Sequence, residues 1–151
     1  MIELKKVIDN LVEFGTIPNV DSSNKLNSLR LLLADLHSQF LHVSFEYDDK
    51  DYTDPPDNNS DEIRSNVESN FPEFGFYHSV FESHIISKDA DVVMGDAIDD
   101  LTDIIKDMLD VKWRLENTST NDALWDFELS MRSHSEQHLV NLMKYLKDKL
   151  S

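Results

Sequence analysis

The chain has 151 residues, of which 40% are hydrophobic and 9% aromatic, and its 30 acidic and 14 basic side chains give a formal net charge of -16. This length and apolar content are typical of one globular domain spanning 1–151, and they exclude a wholly disordered chain. The sequence has no cysteine, which excludes disulfides, thiolate metal sites and cysteine nucleophiles. Its acidity argues against nucleic acid as a partner and favours a basic protein surface.

The N-terminus and the hydropathy of the chain predict a cytoplasmic location. The first six residues lead directly into an amphipathic pattern and lack the basic and apolar regions of a signal peptide. No run approaches the ~18 apolar residues that a membrane span needs. We therefore expect no membrane partner.

Helical patterns account for most of the chain. Hydrophobic residues recur with the 3.6-residue period of an amphipathic helix over five segments. These segments lie at about residues 2–14, 25–45, 60–70, 90–116 and 120–150. The run Leu31-Leu32-Leu33 widens the apolar face of the second segment, which predicts a central helix covered on more than one side. No strand is predicted, although 41–47 has some β character, so the expected fold class is all-α, an irregular bundle of about five helices.

The longest connection lies between the second and third predicted helices and is strongly acidic. Residues 46–62 contain eight acids, one lysine and two adjacent prolines. A loop of this length is usually either functional or a solvated linker, and both interpretations stay open. As a functional segment it would be an acidic recognition arm with aromatic anchors among its carboxylates. Its candidate binding residues are Asp48, Asp49, Asp51, Asp54 and Tyr52.

A second acidic segment lies within the fourth predicted helix. Residues 89–110 contain eight aspartates and one lysine, so this segment and the acidic loop carry nearly all of the net charge. At about 100° per residue, the apolar side chains fall on one face and most carboxylates fall opposite, away from the predicted core. This pattern favours a solvated or partner-binding strip over a buried metal site. Its candidate residues are Asp96, Asp99, Asp103, Asp107 and Asp110.

Two histidines share the fifth predicted helix. His134 and His138 are four residues apart, a spacing that lets two imidazoles reach one metal ion. The residues between them do not form the H-E-x-x-H motif of metalloproteases. One interpretation is a pair of histidines at the edge of the core, bonded to backbone or carboxylate groups. The other is a metal site, with Asp100 as the expected third ligand, or Asp99 or His78 in its place, brought near by folding.

Three polar residues fall near the centre of the apolar face of that helix. They are Glu128, Arg132 and Ser135, and the first two have the i,i+4 spacing of an ion pair. An isolated buried charge costs several kcal/mol, so we predict a structural polar cluster or the floor of a small pocket. No glycine-rich phosphate loop or supported nucleophile–base arrangement accompanies it. We therefore predict a protein that is not an enzyme and needs no cofactor.

Two stretches of the C-terminal half resemble a known family. The first, DDLTDIIKDML at 99–109, resembles a DDLxDIxxDL signature. The second joins ALWDF at 123–127 to His134 and His138, and it is similar to an A-x-W-x-aromatic segment followed by H-x-x-x-H. The family is an uncharacterised bacterial helical family, a domain of unknown function. The resemblance implies a helical fold and no particular activity.

Three hypotheses about function follow from these patterns. Small size, focused acidic charge and the lack of a catalytic motif favour a protein-binding module. Its most concrete form is an immunity protein or inhibitor that neutralises a basic toxin such as a nuclease, because carboxylates can mimic phosphate and charge speeds association. The alternative is a metal- or small-ligand-binding helical protein that uses His134 and His138. The third is an adaptor whose acidity keeps it soluble.

Overall fold

The computed structural model describes residues 2–150 and is predominantly helical. In chain order the elements are α1 (Ile2–Thr16), α2 (Lys25–Leu41), α3 (Ser60–Asn70), β1 (Phe76–Phe81), β2 (Asp91–Asp96), α4 (Ala97–Asn117), α5 (Thr120–Ser130), a π-helical turn (Met131–Ser135) and α6 (Glu136–Lys149). No helix in this described part of the chain combines the length and the apolar character needed to cross a membrane.

Helix α4 occupies the centre of the fold. It packs against α1, α3, α5 and α6. Its start is defined by Asp96, whose side chain accepts a hydrogen bond from the Ile98 N–H and so caps the helix. Its apolar side chains recur at helical spacing and are fully buried, and they are Leu101, Ile104, Ile105, Met108 and Val111. A helix with neighbours on several sides brings its polar face, as well as its apolar face, close to other elements.

The prediction that the second helix is the central one is wrong. Helix α2 ends at Leu41, before the predicted end near residue 45, and it lies at the periphery against α1 and α6. Leu29, Leu33 and Leu36 are buried, whereas Leu31 is 59% exposed. Fewer apolar residues of α2 are therefore buried than the leucine run predicts, because α4 already occupies the centre of the fold.

The fold is not purely all-α, and the prediction of no strand is corrected by a β-hairpin. Strands β1 and β2 pair antiparallel in a two-stranded sheet, with Tyr77 opposite Gly95 and His78 opposite Met94. The helix predicted from about residue 90 begins at Ala97, and the β character at 41–47 forms no strand. Strand pairing depends on residues far apart in the chain, so local periodicity does not report it.

The fifth predicted helix is confirmed, with a π-helical turn inside it. The Glu136 N–H donates to the Met131 carbonyl, five residues back, and the backbone stays helical on both sides of the turn. Buried side chains therefore recur every four residues through the turn, at Phe127, Met131, Ser135 and Leu139. With α5, the π-helical turn and α6 continuous, the predicted total of about five helices holds for residues 2–150.

Candidate metal centre

The histidine pair faces the carboxylates of α4. His134 lies in the π-helical turn and His138 in the first turn of α6, and both elements pack against α4. Asp100, Asp103 and Asp107 are spaced three and four residues apart, so they lie on one side of α4 and meet the histidines there. A site of two imidazoles and three carboxylates results.

Three of these side chains converge on one point. His134 Nε2 and His138 Nε2 lie 3.2 Å apart, and Asp103 Oδ2 lies 3.5 Å from His138 Nε2. One potential ligand atom from each of these residues lies within 4.8 Å of the others. Asp103 and His138 are half-buried and His134 is exposed, so the point is open to solvent on one side.

The remaining two carboxylates contact the Nδ1 atoms of the histidines, on the side away from the open point. His138 Nδ1 lies 2.7 Å from Asp100 Oδ1, and His134 Nδ1 lies 3.0 Å from Asp107 Oδ2. An ionised carboxylate only accepts hydrogen bonds, so each Nδ1 carries the proton and donates it. Both Nε2 atoms are then directed towards Asp103 and towards each other. Carboxylates in this role orient metal-binding histidines and increase their basicity.

Asp100 is itself fixed by a residue from the β-hairpin. It is buried, and its second oxygen accepts a hydrogen bond from the Tyr77 hydroxyl. Burial, reinforced by this bond to Asp100, raises the pKa of Tyr77 far above its usual value, so the hydroxyl remains a donor. The hydrogen bond from His138 to Asp100 raises the pKa of His138, an effect that burial of the imidazole opposes.

Asp107 is held in a similar way by the π-helical turn. The Ser135 hydroxyl donates to Asp107 Oδ2 at 2.6 Å, the same oxygen that faces His134. Ser135 is buried, and it and His134 both lie in the π-helical turn and contact the same carboxylate. π-Helical turns inside α-helices are frequent at functional sites.

The structure brings the predicted metal-site residues together, but the carboxylate that faces the open point is Asp103 and not Asp100. His134 and His138 form a pair, and each bonds to a carboxylate, an arrangement that both interpretations of the pair expected. Asp100 contacts His138 on the Nδ1 side, so it supports the imidazole and does not face the open point. Asp103, which the sequence pattern assigned to partner binding, faces that point. Tyr77 was not expected at all, since it reaches the site through a hairpin that local periodicity did not predict.

The other candidate partner-binding residues of the fourth predicted helix have partners within the chain. Asp96 lies 3.0 Å from the Arg64 guanidinium, which also pairs with Asp99. Asp107 contacts the histidine pair, and Asp110 accepts a hydrogen bond of 2.9 Å from Asn58. Of these four, only Asp99 is exposed. The strip expected to point away from the core is therefore largely covered by α3, the acidic loop and the histidine pair.

The acidic loop is held along the junction of α4 and α5. The Asp48 carboxylate accepts hydrogen bonds from Ser119 and from Tyr52, the latter at 2.8 Å. Asp54 lies 3.7 Å from Arg114 but remains 94% exposed at its side chain. Asp49 and Asp51 are also exposed. These three carboxylates form an outward-facing group, the acidic loop surface.

The predicted polar cluster is only partly present. Arg132 donates to Glu128 Oε2 at 2.8 Å, as the i,i+4 spacing indicated. Ser135 does not join them, because it donates to Asp107 instead. Arg132 is exposed and Glu128 half-buried, so the pair does not lie at the centre of the core. Both residues line an open cavity with residues from the segment 40–45, which agrees with the alternative prediction of a small pocket. The π-helical turn changes the phase of the helix between residues 131 and 135, which a uniform 100° step does not anticipate.

Comparison with known proteins identifies the family and leaves its activity open. A family model described as "Domain of unknown function (DUF5063)" matches residues 18–150. The chain belongs to this family. This match confirms the resemblance to an uncharacterised domain family, and it extends well beyond the C-terminal half. No curated protein matches the chain.

A solved structure supports the fold of this family member. The crystal structure of protein BF1032 from Bacteroides fragilis is similar over 97% of this chain and 89% of that chain, with a TM-score of 0.75 and 19% sequence identity. At this identity the similarity concerns the fold alone.

Proposed function

We propose that this chain binds one divalent transition-metal ion through His134, His138 and Asp103. The observation that carries the proposal is the facing pair of Nε2 atoms, 3.2 Å apart. Both Nδ1 atoms donate to carboxylates, so two neutral imidazoles would direct their Nε2 lone pairs at each other. A cation between them, either a proton or a metal ion, removes this repulsion.

The distances favour a metal ion of the size of Zn²⁺. Two nitrogens bound to one tetrahedral Zn²⁺ at about 2.0–2.1 Å lie about 3.3–3.4 Å apart. The separations of 3.2 Å between the imidazoles and 3.5 Å to Asp103 bracket that value. Imidazole and carboxylate ligands suit zinc and iron among the first-row metals. Three protein ligands leave a fourth position for water or an exogenous ligand.

The charge of the surroundings also favours a cation. Asp100 and Asp107 lie directly behind the two imidazoles, and Asp103 lies beside them. Within residues 2–150, no lysine or arginine is paired with any of these three carboxylates. A bound divalent cation would therefore offset negative charge that the chain otherwise concentrates here.

The test is a zinc and cobalt titration of metal-stripped protein. We expect one equivalent to bind, with a cobalt absorption spectrum typical of nitrogen and oxygen ligands. His134→Ala and Asp103→Asn each remove a ligand and should weaken binding roughly 100-fold or more, above the 10–100-fold typical of residues that only support a ligand. His42→Ala is a matched control, since His42 directly follows α2 and its Nδ1 bonds to the Ser38 carbonyl of that helix.

The result that would overturn the proposal is equally specific. If the wild-type protein binds no zinc, or if His134→Ala binds as tightly as the wild type, the histidines share a proton and not a metal ion. Asp99→Asn separates general attraction of cations from ligation. This aspartate lies on the same helix but pairs with Arg64, so its loss should change the affinity little.

We propose as a second candidate function that the acidic loop surface binds a basic protein. The supporting observation is that Tyr47 is 75% exposed beside these carboxylates, while the backbone there is held by a hydrogen bond from the Glu46 N–H to Asn121 Oδ1. A pre-organised loop loses little entropy on binding. The most concrete form of this proposal remains an immunity protein that neutralises a basic toxin such as a nuclease. Asp48 and Tyr52 contribute by holding the loop.

A charge-neutralising variant tests this second candidate. Replacing Asp49, Asp51 and Asp54 with Asn should weaken binding to a purified basic nuclease domain and flatten its salt dependence. A control removes the same charge from exposed acids of the N-terminal region, Glu3, Glu13 and Asp21. If both variants lose affinity equally, net charge and not the loop surface attracts the nuclease. If the wild type does not bind at low salt, this basic partner class is wrong.

A further inference from the structure

We infer that Tyr77 is a positioning residue for the metal centre and couples metal binding to docking of the β-hairpin. The inference rests on the proposed metal site and extends it to regulation of that site. A continuous chain of contacts supports it, which runs from Gly95 to Tyr77, from Tyr77 to Asp100, and from Asp100 to His138.

The Asp100 carboxylate is the centre of this chain. One of its oxygens accepts from His138 Nδ1 at 2.7 Å and the other accepts from the Tyr77 hydroxyl. Asp100 is buried, so solvent does not replace either donor. Its orientation is therefore set from two sides, by the hairpin and by the histidine. Loss of the tyrosine hydroxyl would leave a buried carboxylate oxygen without that donor and free the carboxylate to rotate.

Gly95 makes room for this contact. It lies opposite Tyr77 in the hairpin register. A Cβ atom at Gly95 would lie less than 3.0 Å from Tyr77 Cζ and from its hydroxyl oxygen, a distance that real Cβ atoms essentially never show. The tyrosine ring therefore crosses the neighbouring strand over a residue with no side chain. Any larger residue would push the ring off its path to Asp100.

Beyond Asp96, which ends β2, pairs with Arg64 and caps α4, the hairpin has few other anchors in the fold. None of residues 76–96 is fully buried, and Phe76 and Met94 are each 70% exposed. At its base, the Ala97 N–H donates to the Gly75 carbonyl and the Gly75 N–H to the Tyr145 hydroxyl. Tyr77 also packs against the Tyr145 ring, at 5.6 Å between centroids. Tyr77 is therefore a principal contact between the strands and the helices.

Coupling follows from thermodynamic reciprocity. If the docked hairpin orients His138 for a metal ion, the docked state binds metal more tightly than the undocked state. Metal must then stabilise the docked hairpin by the same factor, because linkage between two equilibria is reciprocal. Metal binding would therefore change how firmly the hairpin is docked, and with it the exposed surface of the hairpin outside the metal site.

The experiment compares three variants of the full chain. Tyr77→Phe removes the hydroxyl and keeps the ring, and it should weaken zinc binding roughly 10–100-fold, the range for supporting residues of metal sites. Gly95→Ala should weaken zinc binding at least as much, since it displaces the whole ring. Gly75→Ala is the matched control, because a Cβ there meets nothing within 4 Å, and its affinity should stay close to wild type.

Two further measurements separate positioning from general destabilisation. Hydrogen exchange of residues 76–96 should slow on adding zinc to the wild type and respond much less in Tyr77→Phe. At saturating Co²⁺, the absorption spectrum of Tyr77→Phe should shift while the stoichiometry stays at one, because the ligands remain but His138 is less constrained. A loss of stability alone would leave the saturated spectrum unchanged.

The two proposals fail in different ways. A wild type that binds no zinc overturns the metal site. A wild type that binds zinc, with Tyr77→Phe of equal affinity and no response of hairpin exchange to metal, overturns the coupling and leaves the metal site standing. If Gly95→Ala does not fold, as circular dichroism would reveal, Tyr77→Phe still decides the question because it changes one oxygen atom.

Discussion

Among single residues, Asp100 and Asp126 illustrate how differently two largely buried carboxylates are accommodated. Asp100 accepts hydrogen bonds on both oxygens, from His138 and from Tyr77. Asp126 Oδ2 is buried without a hydrogen bond, and its closest charge is Arg114 Nε at 3.5 Å. A buried charge is tolerated when its oxygens are paired and is costly when they are not. The two residues therefore have different consequences for stability.

Burial raises the pKa of Asp126 from 3.8 to about 6. The positive charge of Arg114 lowers this pKa, whereas the negative charges of three nearby aspartates raise it further. These aspartates are Asp110, Asp107 and Asp122. The folded state thus retains a proton that the unfolded chain releases between about pH 4 and 6. Stability should fall as pH rises through this window and stay reduced above it. Asp126→Asn mimics the protonated form, so it should be about 1–3 kcal/mol more stable than wild type at pH 7.

Urea unfolding at pH 4 and pH 7 checks this prediction. The stability difference between Asp126→Asn and the wild type should be small at pH 4 and grow towards pH 7. Asp54→Asn is the control, since it also approaches Arg114 but is almost fully exposed. A difference that does not change with pH would show that Asp126 is ionised in the folded state over the whole range.

At the scale of elements, the π-helical turn decides which side chains face α4. The sequence correctly predicts one long helix over 120–150, because its apolar residues recur at helical spacing on both sides of the turn. It misplaces Ser135 and Arg132, because the turn adds a residue that a regular wheel does not contain. The Ser133 hydroxyl, within the turn, donates to the Leu129 carbonyl of α5 at 2.6 Å.

Deletion of Ser133 tests the role of the turn. Without this residue the buried positions on either side would follow regular α-helical spacing, so we expect a folded protein of equal or greater stability. His134 and Ser135 would then approach Asp107 from a changed angle, and zinc affinity should fall at least roughly tenfold. Titration calorimetry and thermal melting measure the two effects. Unchanged zinc affinity would show that the turn is dispensable for the site.

Asn70 joins α3 to the end of α1. Its side-chain amide donates to the carbonyls of Phe14 and Ile17 at 3.0 and 2.8 Å, and its oxygen accepts from the Val20 N–H at 2.7 Å. The last carbonyls of a helix have no partner within the helix, so a side chain from another element can satisfy them. Asn70 is buried, which makes each of these bonds costly to lose.

Asn70→Ala should therefore destabilise the protein by about 2–4 kcal/mol, since several buried backbone groups lose their partner together. Ser69→Ala provides a comparison, because the bond from the Asn19 N–H to Ser69 Oγ is exposed, and it should cost less than about 1 kcal/mol. Denaturant unfolding gives both values. Equal effects of the two substitutions would contradict the importance of burial here.

On the scale of the whole molecule, the negative charge has two different environments. Part of it lies on α4 and on Asp96, the residue before it, and is contacted by the histidine pair and by Arg64. Another part lies on the acidic loop surface and is exposed to solvent. A strongly charged chain repels itself, so any cation that neutralises it raises stability to some degree. Only a specific site raises stability at low metal concentration.

Zinc at about 100 times its dissociation constant should stabilise the folded state by about 2.7 kcal/mol. For a domain of this size that corresponds to a rise in Tm of roughly 5–10 °C. The rise should disappear in His134→Ala and should not occur with the same concentration of Ca²⁺. A similar rise with Ca²⁺, or a rise that survives in His134→Ala, would assign the effect to general neutralisation of charge. Thermal melting followed by circular dichroism is sufficient.

By itself the sequence determined the helical character of this protein, the approximate helices, the i,i+4 histidine pair and the location of its negative charge. These features depend on neighbours within one helix, and local periodicity reports them. The tertiary structure decided what the acidic face of α4 meets. A central helix is covered on more than one side, so carboxylates opposite its apolar face still contact α6 and the hairpin. His138 and Asp100 are 38 residues apart and Tyr77 and Asp100 are 23 apart. Such contacts depend on how the elements pack, which no local pattern contains.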